Sequence, residues 1–241
     1  MAEAAPRIAA EGDDEIRTLN ERFEGRSAEL VLRWATETFA PDVVLTCSFQ
    51  HEGVALAHMV RRIAPTIPVL FIDTGFHFPQ TLEYVDEITR RFDLNLRVLR
   101  PTMTREQFDR AHGLDLYRRD PDLCCAINKV APLRKALQGV RCWINGRRRD
   151  QSALRRNIAM IERYEGGVYK VNPLLHWMSK DTHRYLADYD IPTHPLFEKG
   201  YASIGCAPCT RPILAGEDER AGRWSGTAKS ECGIHTLLKP A

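Results

Sequence analysis

With 241 residues, 44% hydrophobic and 27% charged, the chain can bury one sizeable core, which excludes a disordered tail or a small disulfide-stapled scaffold. Its 34 basic and 32 acidic residues leave a formal net charge of +2, no electrostatic ground for a nucleic-acid or membrane-surface partner. No stretch approaches the roughly 18 apolar residues of a membrane span, and residues 1–14 are alanine-rich and acidic, unlike a secretory signal. Seven cysteines, an odd number that includes an adjacent pair, point to metal ligation or thiol chemistry in a reducing cytoplasm.

Residues 1–40 read as a helical lead-in, 41–212 as a nucleotide-binding α/β domain and 213–241 as a flexible C-terminal arm. The apolar runs Val43–Thr46, Val69–Ile72 and 95–99 have the continuous pattern of buried parallel strands, with amphipathic helices expected over 52–63 and 80–92 between them. Strand and helix alternating in this way predict a doubly wound parallel sheet, with ligands at the carboxyl ends of the strands. Further on, a polar segment runs to Asp122, followed by an expected helix over 124–137, strands over 142–145 and Val168–Val171, and a helix over 179–189 that stops before Ile191-Pro192.

The first strand leads into Ser48-Phe49-Gln50-His51-Glu52-Gly53, where backbone N–H groups and a helix start can hold an anion; Ser48 and Phe49 are the candidate contacts. It is not a Walker loop, having one glycine and no Lys followed by Ser or Thr. After the second strand comes Asp73-Thr74-Gly75, a tight turn at the adjacent strand end whose three residues are further candidate substrate contacts. The arginine-rich stretch 147–156 follows the 142–145 strand, and Arg148 and Arg149 are candidates to grip phosphate or sulfate oxygens. RNA is not the expected partner, because no aromatic residues are interleaved to stack bases.

The cysteines divide by neighbourhood. Cys206-Ala207-Pro208-Cys209 and the adjacent Cys124-Cys125 make a complete four-thiolate set. Two adjacent cysteines chelate a single tetrahedral zinc poorly, whereas each can take a different iron of a cubane, so a [4Fe–4S] cluster is expected ahead of zinc or a redox C-x-x-C. Cys232 stands apart in Glu231-Cys232-Gly233-Ile234-His235 and is a candidate nucleophile if positive charge lies nearby; Arg220, Arg223, Lys229 and His235 are close in sequence. Cys47 and Cys142, in or beside apolar strands, read as packing residues.

With these motifs assembled, the chain resembles the cluster-carrying adenylyl-sulfate reductases of the phosphoadenylyl-sulfate reductase family from about Leu45 to His235. The resemblance rests on Cys124-Cys125 with Cys206 and Cys209, the Glu231-Cys232-Gly233-Ile234-His235 tail and the Asp73-Thr74-Gly75 loop; the loop at 50–53 departs from the family's small-residue pattern. It implies an adenine nucleotide alpha hydrolase-like fold and thioredoxin-dependent reduction of adenylyl sulfate to sulfite and AMP. In that reaction Cys232 attacks the sulfur and carries an S-sulfocysteine intermediate. It also implies that Lys129 lies between cluster and substrate and that Arg220, Arg223 and His235 bind the substrate. Homo-oligomerisation is left open. The alternatives are a 3′-phosphoadenylyl-sulfate or dual-substrate reductase, a tRNA-thiolating ATP-using enzyme, which would need a Ser-Gly-Gly-x-Asp loop that is missing here, and a zinc-stabilised RNA-binding protein.

Overall fold

The computed structural model describes residues 7–236 and 238. Strands β1 (Val43–Thr46), β2 (Val69–Ile72), β3 (Leu96–Leu99), β4 (Cys142–Ile144), β5 (Ile161–Tyr164) and β6 (Val168–Val171) form one sheet in the order β3-β2-β1-β4-β6-β5. Every neighbouring pair is parallel except β5 with β6. The chain moves outward from β1 to β2 and β3, then returns to lay β4 on the other side of β1. That reversal opens a crevice at the carboxyl ends of β1 and β4, where a doubly wound sheet holds its ligand.

Helices form where caps and amphipathic faces agree. Ser27 caps α2 (Ala28–Phe39) by accepting the Leu30 N–H at 3.3 Å, and Pro79 opens α4 (Pro79–Phe92) with its fixed φ. Together with α3 (His51–Ile63) and α9 (Ser179–Asp188), they press Val31, Leu32, Leu56, Val85, Ile88 and Leu186 into one core with Val43, Leu45, Phe71, Ile144 and Val171 of the sheet. Alternation along the strands sends Val44, Leu70 and Trp143 to the other face, where Val130 and Leu133 cover them. Helix α1 (Arg7–Phe23) seals the β5 edge: Asn20 donates to the Ile161 carbonyl at 2.8 Å and accepts the Ile161 N–H at 3.0 Å.

Three sequence expectations need correction. The 95–99 strand is not buried like its neighbours, since β3 is an edge strand with Arg97 and Val98 exposed. Strand β5 was not anticipated, because Glu162 and Arg163 interrupt its apolar pattern. The helix expected over 124–137 is broken into α7 (Pro121–Cys125), a π-helical turn (Ala126–Val130) and α8 (Ala131–Ala136), with Asp120 capping the start by accepting the Leu123 N–H. The polar segment before it folds as α5 (Arg105–His112) and α6 (Leu116–Arg119), which bury Phe108 and Leu116 against Phe76, Cys124 and Cys206. Among the described residues no helix is long and apolar enough to cross a membrane.

The segment after 212 is seated on the domain. Trp224 donates its N–H to the Cys209 carbonyl, Arg211 donates to the Gly222 carbonyl, and Trp224 and Glu231 are buried. The chain ends, as far as described, in the short helix α10 (Gly233–Thr236) and the buried Leu238.

Candidate active site

The crevice is a cavity of about 180 Å³. Its apolar floor comes from the ends of the central strands, with Thr46, Cys47 and Ser48 on one side and Leu70, Phe71 and Ile72 on the other. The β1 loop is held closely to its helix because Gly53 has no Cβ; one there would stand 3.0 Å from Cys47 Sγ. Gln50 ties the loop to the opposite wall by accepting the Ile204 N–H at 2.8 Å.

The far wall is cationic. Lys129, Arg147, Arg155, Arg220 and Arg223 line the cavity together with Cys232 and His235. Arg155 grips the buried Glu231 bidentately at 2.6 and 2.8 Å, and Arg220 adds a third contact at 2.9 Å. Burial opposes ionisation of Glu231, yet these arginines win and lower its pKa to about 2. The same carboxylate accepts the Cys232 N–H at 2.7 Å, so one ion cluster fixes the backbone of the cysteine. The Nε groups of Arg220 and Arg223 are buried without a hydrogen-bond partner, unusual for guanidinium donors and suited to an anionic ligand. Burial, followed by the charge of Lys170, pushes His235 well below the ordinary histidine range, so its imidazole is neutral.

Beside this cavity is a second, smaller one lined by all four predicted ligand cysteines, Cys124, Cys125, Cys206 and Cys209, with Thr74, Asn128 and Trp224. Among the described residues Lys129 alone lines both cavities. It projects from the π-helical turn, whose extra residue re-aims the side chain relative to a regular helix. Burial would lower its pKa, but the neighbouring Cys206, Cys232 and Cys125 raise it overall and keep the ammonium charged. Packing four thiols together pushes most of them up, Cys124 to about 12 and Cys209 to about 11, with burial the main cause and neighbouring thiols adding to it. Among the described residues no three His, Cys, Asp or Glu side chains are grouped to hold a single metal ion.

The predicted binding residues divide into two sets. Ser48, Lys129, Arg220, Arg223, His235 and Cys232 meet at the cavity. Phe49 does not: at φ +53° it turns inward and packs edge-to-face on Phe71 in the core. Asp73, Thr74 and Gly75 also stand back from it. Asp73 accepts the Gly75 N–H at 3.0 Å and pairs with Arg100, and the Thr74 hydroxyl lies 3.3 Å from Cys206 Sγ, so this loop serves the cysteine pocket. The fully buried Arg148 lies behind the wall, 3.2 Å from Glu52 and 3.5 Å from Glu219, while Arg149 Nε donates to the Ile158 carbonyl. Arg147 and Arg155 entered the sequence reading only as members of the arginine tract, and Glu231 and His77 were not named as binding residues. The first two sit in the arginine tract, and Glu231 is the sequence neighbour of Cys232, so position alone could have flagged them. Cys142 is in the core as expected, and Cys47, though buried, contributes to the cavity floor, with burial raising its thiol to about 12.

A family model for the phosphoadenosine phosphosulfate reductase domain matches residues 42–212. The chain belongs to that family. It is 43% identical over 227 residues to the adenosine 5′-phosphosulfate reductase of Streptomyces coelicolor, covering 92% of this chain and 95% of that one. Adenosine 5′-phosphosulfate reductase 1 of Bacillus subtilis is 41% identical over 212 residues, covering 87% and 91%. Among solved structures, the phosphoadenylyl-sulfate reductase of Candida auris aligns at TM-score 0.73 and 29% identity over 86% of this chain and 98% of that one. The Candida glabrata FMN adenylyltransferase in complex with ATP aligns at 0.56 and 15% identity over 100% and 86%, a likeness of fold. The doubly wound α/β architecture expected from the sequence is thus that of this reductase family.

Proposed function

We propose that this member of the phosphoadenosine phosphosulfate reductase family reduces adenylyl sulfate to sulfite and AMP through a thiosulfonate on Cys232. The observation that carries the reading is the meeting of Cys232 with five cationic side chains, Lys129, Arg147, Arg155, Arg220 and Arg223, at the carboxyl end of a nucleotide-type sheet. The adenosine lies along the strand ends, and the phosphosulfate faces Lys129 and the unpartnered Nε groups of Arg220 and Arg223. The Cys232 thiolate attacks the sulfur, the bond between sulfur and the bridging oxygen breaks, and the electron pair leaves with AMP. The cations balance the charge that grows on the leaving phosphate. A dithiol protein of the thioredoxin class then attacks Cys232 Sγ, releasing sulfite and forming a mixed disulfide. Its second thiol resolves that disulfide, so two thiols are oxidised as the substrate sulfur gains two electrons.

The reading of the four-cysteine pocket as the seat of a [4Fe–4S] cluster is supported by Cys124, Cys125, Cys206 and Cys209 lining one small cavity, where the adjacent Cys124 and Cys125 can each bind a different iron. When bound, the cluster supplies a cross-link between α7 and the 206–209 turn and sets the electrostatic surroundings of Lys129. Seven cysteines, all free, suit a reducing cytoplasm.

Mixing the reduced protein with adenylyl sulfate and no thiol reductant should add the mass of SO₃ to Cys232, read by mass spectrometry. Cys232→Ser should bind AMP and hold iron yet gain no adduct. An adduct on another cysteine, or normal turnover by Cys232→Ser, would sink the assignment. The names of the relatives favour the unphosphorylated nucleotide over its 3′-phosphorylated form. Sulfite release at an equal or greater rate from the 3′-phosphorylated form would reverse that choice.

A further inference from the structure

Lys170 is fully buried in the middle of β6, in register beside Trp143 and outside the cavity lining. An apolar residue would fill this strand position without the cost of burying an amine. Its Nζ instead donates to the Tyr164 hydroxyl at 2.8 Å and lies 3.3 Å from His235 Nδ1. Two ring faces flank it, with centroids 4.4 Å away at Trp143 and 4.1 Å away at Tyr164. The His235 ring lies nearly parallel to Trp143, at 16° and 6.2 Å, and Ile234 packs on the same apolar cluster. The polar end of Lys170 therefore faces the segment that carries the nucleophile.

We propose that Lys170 is a positioning residue that holds His235 with Nδ1 as acceptor and Nε2–H turned toward the anionic groups of the substrate. The inference rests on the reductase reading of the cavity. An amine donating to both Tyr164 and His235 requires a lone pair on Nδ1, which leaves the imidazole proton on Nε2. In that tautomer the cavity-lining histidine offers a neutral donor to phosphate or sulfate oxygen. In the other it would present a lone pair to an anion. Burial, then Arg147 and Arg155, lower the basicity of Lys170, but even an uncharged amine keeps the two N–H groups the arrangement uses.

The test reads the histidine directly. In ¹⁵N-labelled wild-type protein at neutral pH, the resonance lost in His235→Gln should be that of an Nε2–H tautomer; an Nδ1–H tautomer or an imidazolium overturns the proposal. Lys170→Met keeps the chain length but not the donor. Its His235 should lose that single tautomer, and Cys232 adduct formation at saturating adenylyl sulfate should slow by at least about tenfold, with AMP affinity within about twofold. Lys170→Arg keeps a donor and should keep the tautomer. A wild-type adduct rate in Lys170→Met refutes the role; if that variant does not fold, the wild-type spectrum and Lys170→Arg decide. Should wild type form no adduct while His235 holds the Nε2–H tautomer, the reductase reading falls and the anchor stands.

Discussion

Replacing Glu231 with Gln removes the charge that holds the C-terminal segment to the cavity wall. The carboxylate is 6% exposed and joins Arg155, Arg220 and the Cys232 N–H. Its pKa falls from 4.5 to about 2, worth roughly 3 kcal/mol at about 1.4 kcal/mol per unit. That agrees with the roughly 3–5 kcal/mol lost when one member of a buried ion pair is removed. Because the contact joins the segment to the domain, the loss should appear as local opening. Hydrogen exchange across residues 226–236 should accelerate by about two orders of magnitude at neutral pH, and formation of the Cys232 adduct should slow with it. The sign with pH follows from the lowered value. The stabilisation is complete above the unfolded pKa of 4.5 and is lost as pH drops toward about 2. Exchange within twofold of wild type in Glu231→Gln would refute the reasoning.

Cys206→Ala should lose bound iron and activity together, followed by iron analysis and by the visible charge-transfer absorbance. Iron at full occupancy in that variant, or zinc in the wild-type protein, contradicts the ligand assignment. A Cβ at Gly205 would collide with the Arg223 guanidinium, the far end of a long side chain. Gly205→Ala should thus displace Arg223 and weaken adenylyl sulfate binding by about tenfold while changing unfolding free energy by less than about 1.5 kcal/mol. Titration calorimetry with adenylyl sulfate, on a Cys232→Ser background that forms no adduct, and a urea melt separate the two effects.

The central sheet was legible in the sequence because β1 and β2 are continuous apolar runs, and burial on both faces requires that pattern. The pattern weakens where burial is one-sided. β3 is an edge strand, yet Leu96, Val98 and Leu99 make it read like a core strand, while β5 carries Glu162 and Arg163 and has no period to detect. The π-helical turn at Ala126–Val130 adds one residue to a helix, and a window long enough to detect a helix averages that residue away. It is nonetheless the feature that carries Lys129, the residue shared by the two pockets.

The cysteines were sorted by spacing and neighbours, information that lies within the chain order itself. The arginines were not, and the reason is physical. Arg147, Arg148 and Arg155 of the tract each find a different partner, and which guanidinium faces a ligand depends on partners distant in sequence. Arg148 stands behind the wall beside Glu52 and Glu219, and Arg149 donates to the Ile158 carbonyl, while Arg155 reaches the cavity because Glu231 returns from the end of the described chain to meet it. The same long-range closure explains why the C-terminal segment read as a free arm. Its Gly- and Ser-rich composition predicts mobility, but the burial of Trp224 and Glu231 depends on Cys209, Arg155 and Arg220, which supply the hydrogen-bond acceptor and the charges. A reading of the sequence therefore singles out Cys232 as a candidate nucleophile on condition that positive charge lies nearby, and that electrostatic support is found only once Arg155 and Glu231 are known to touch.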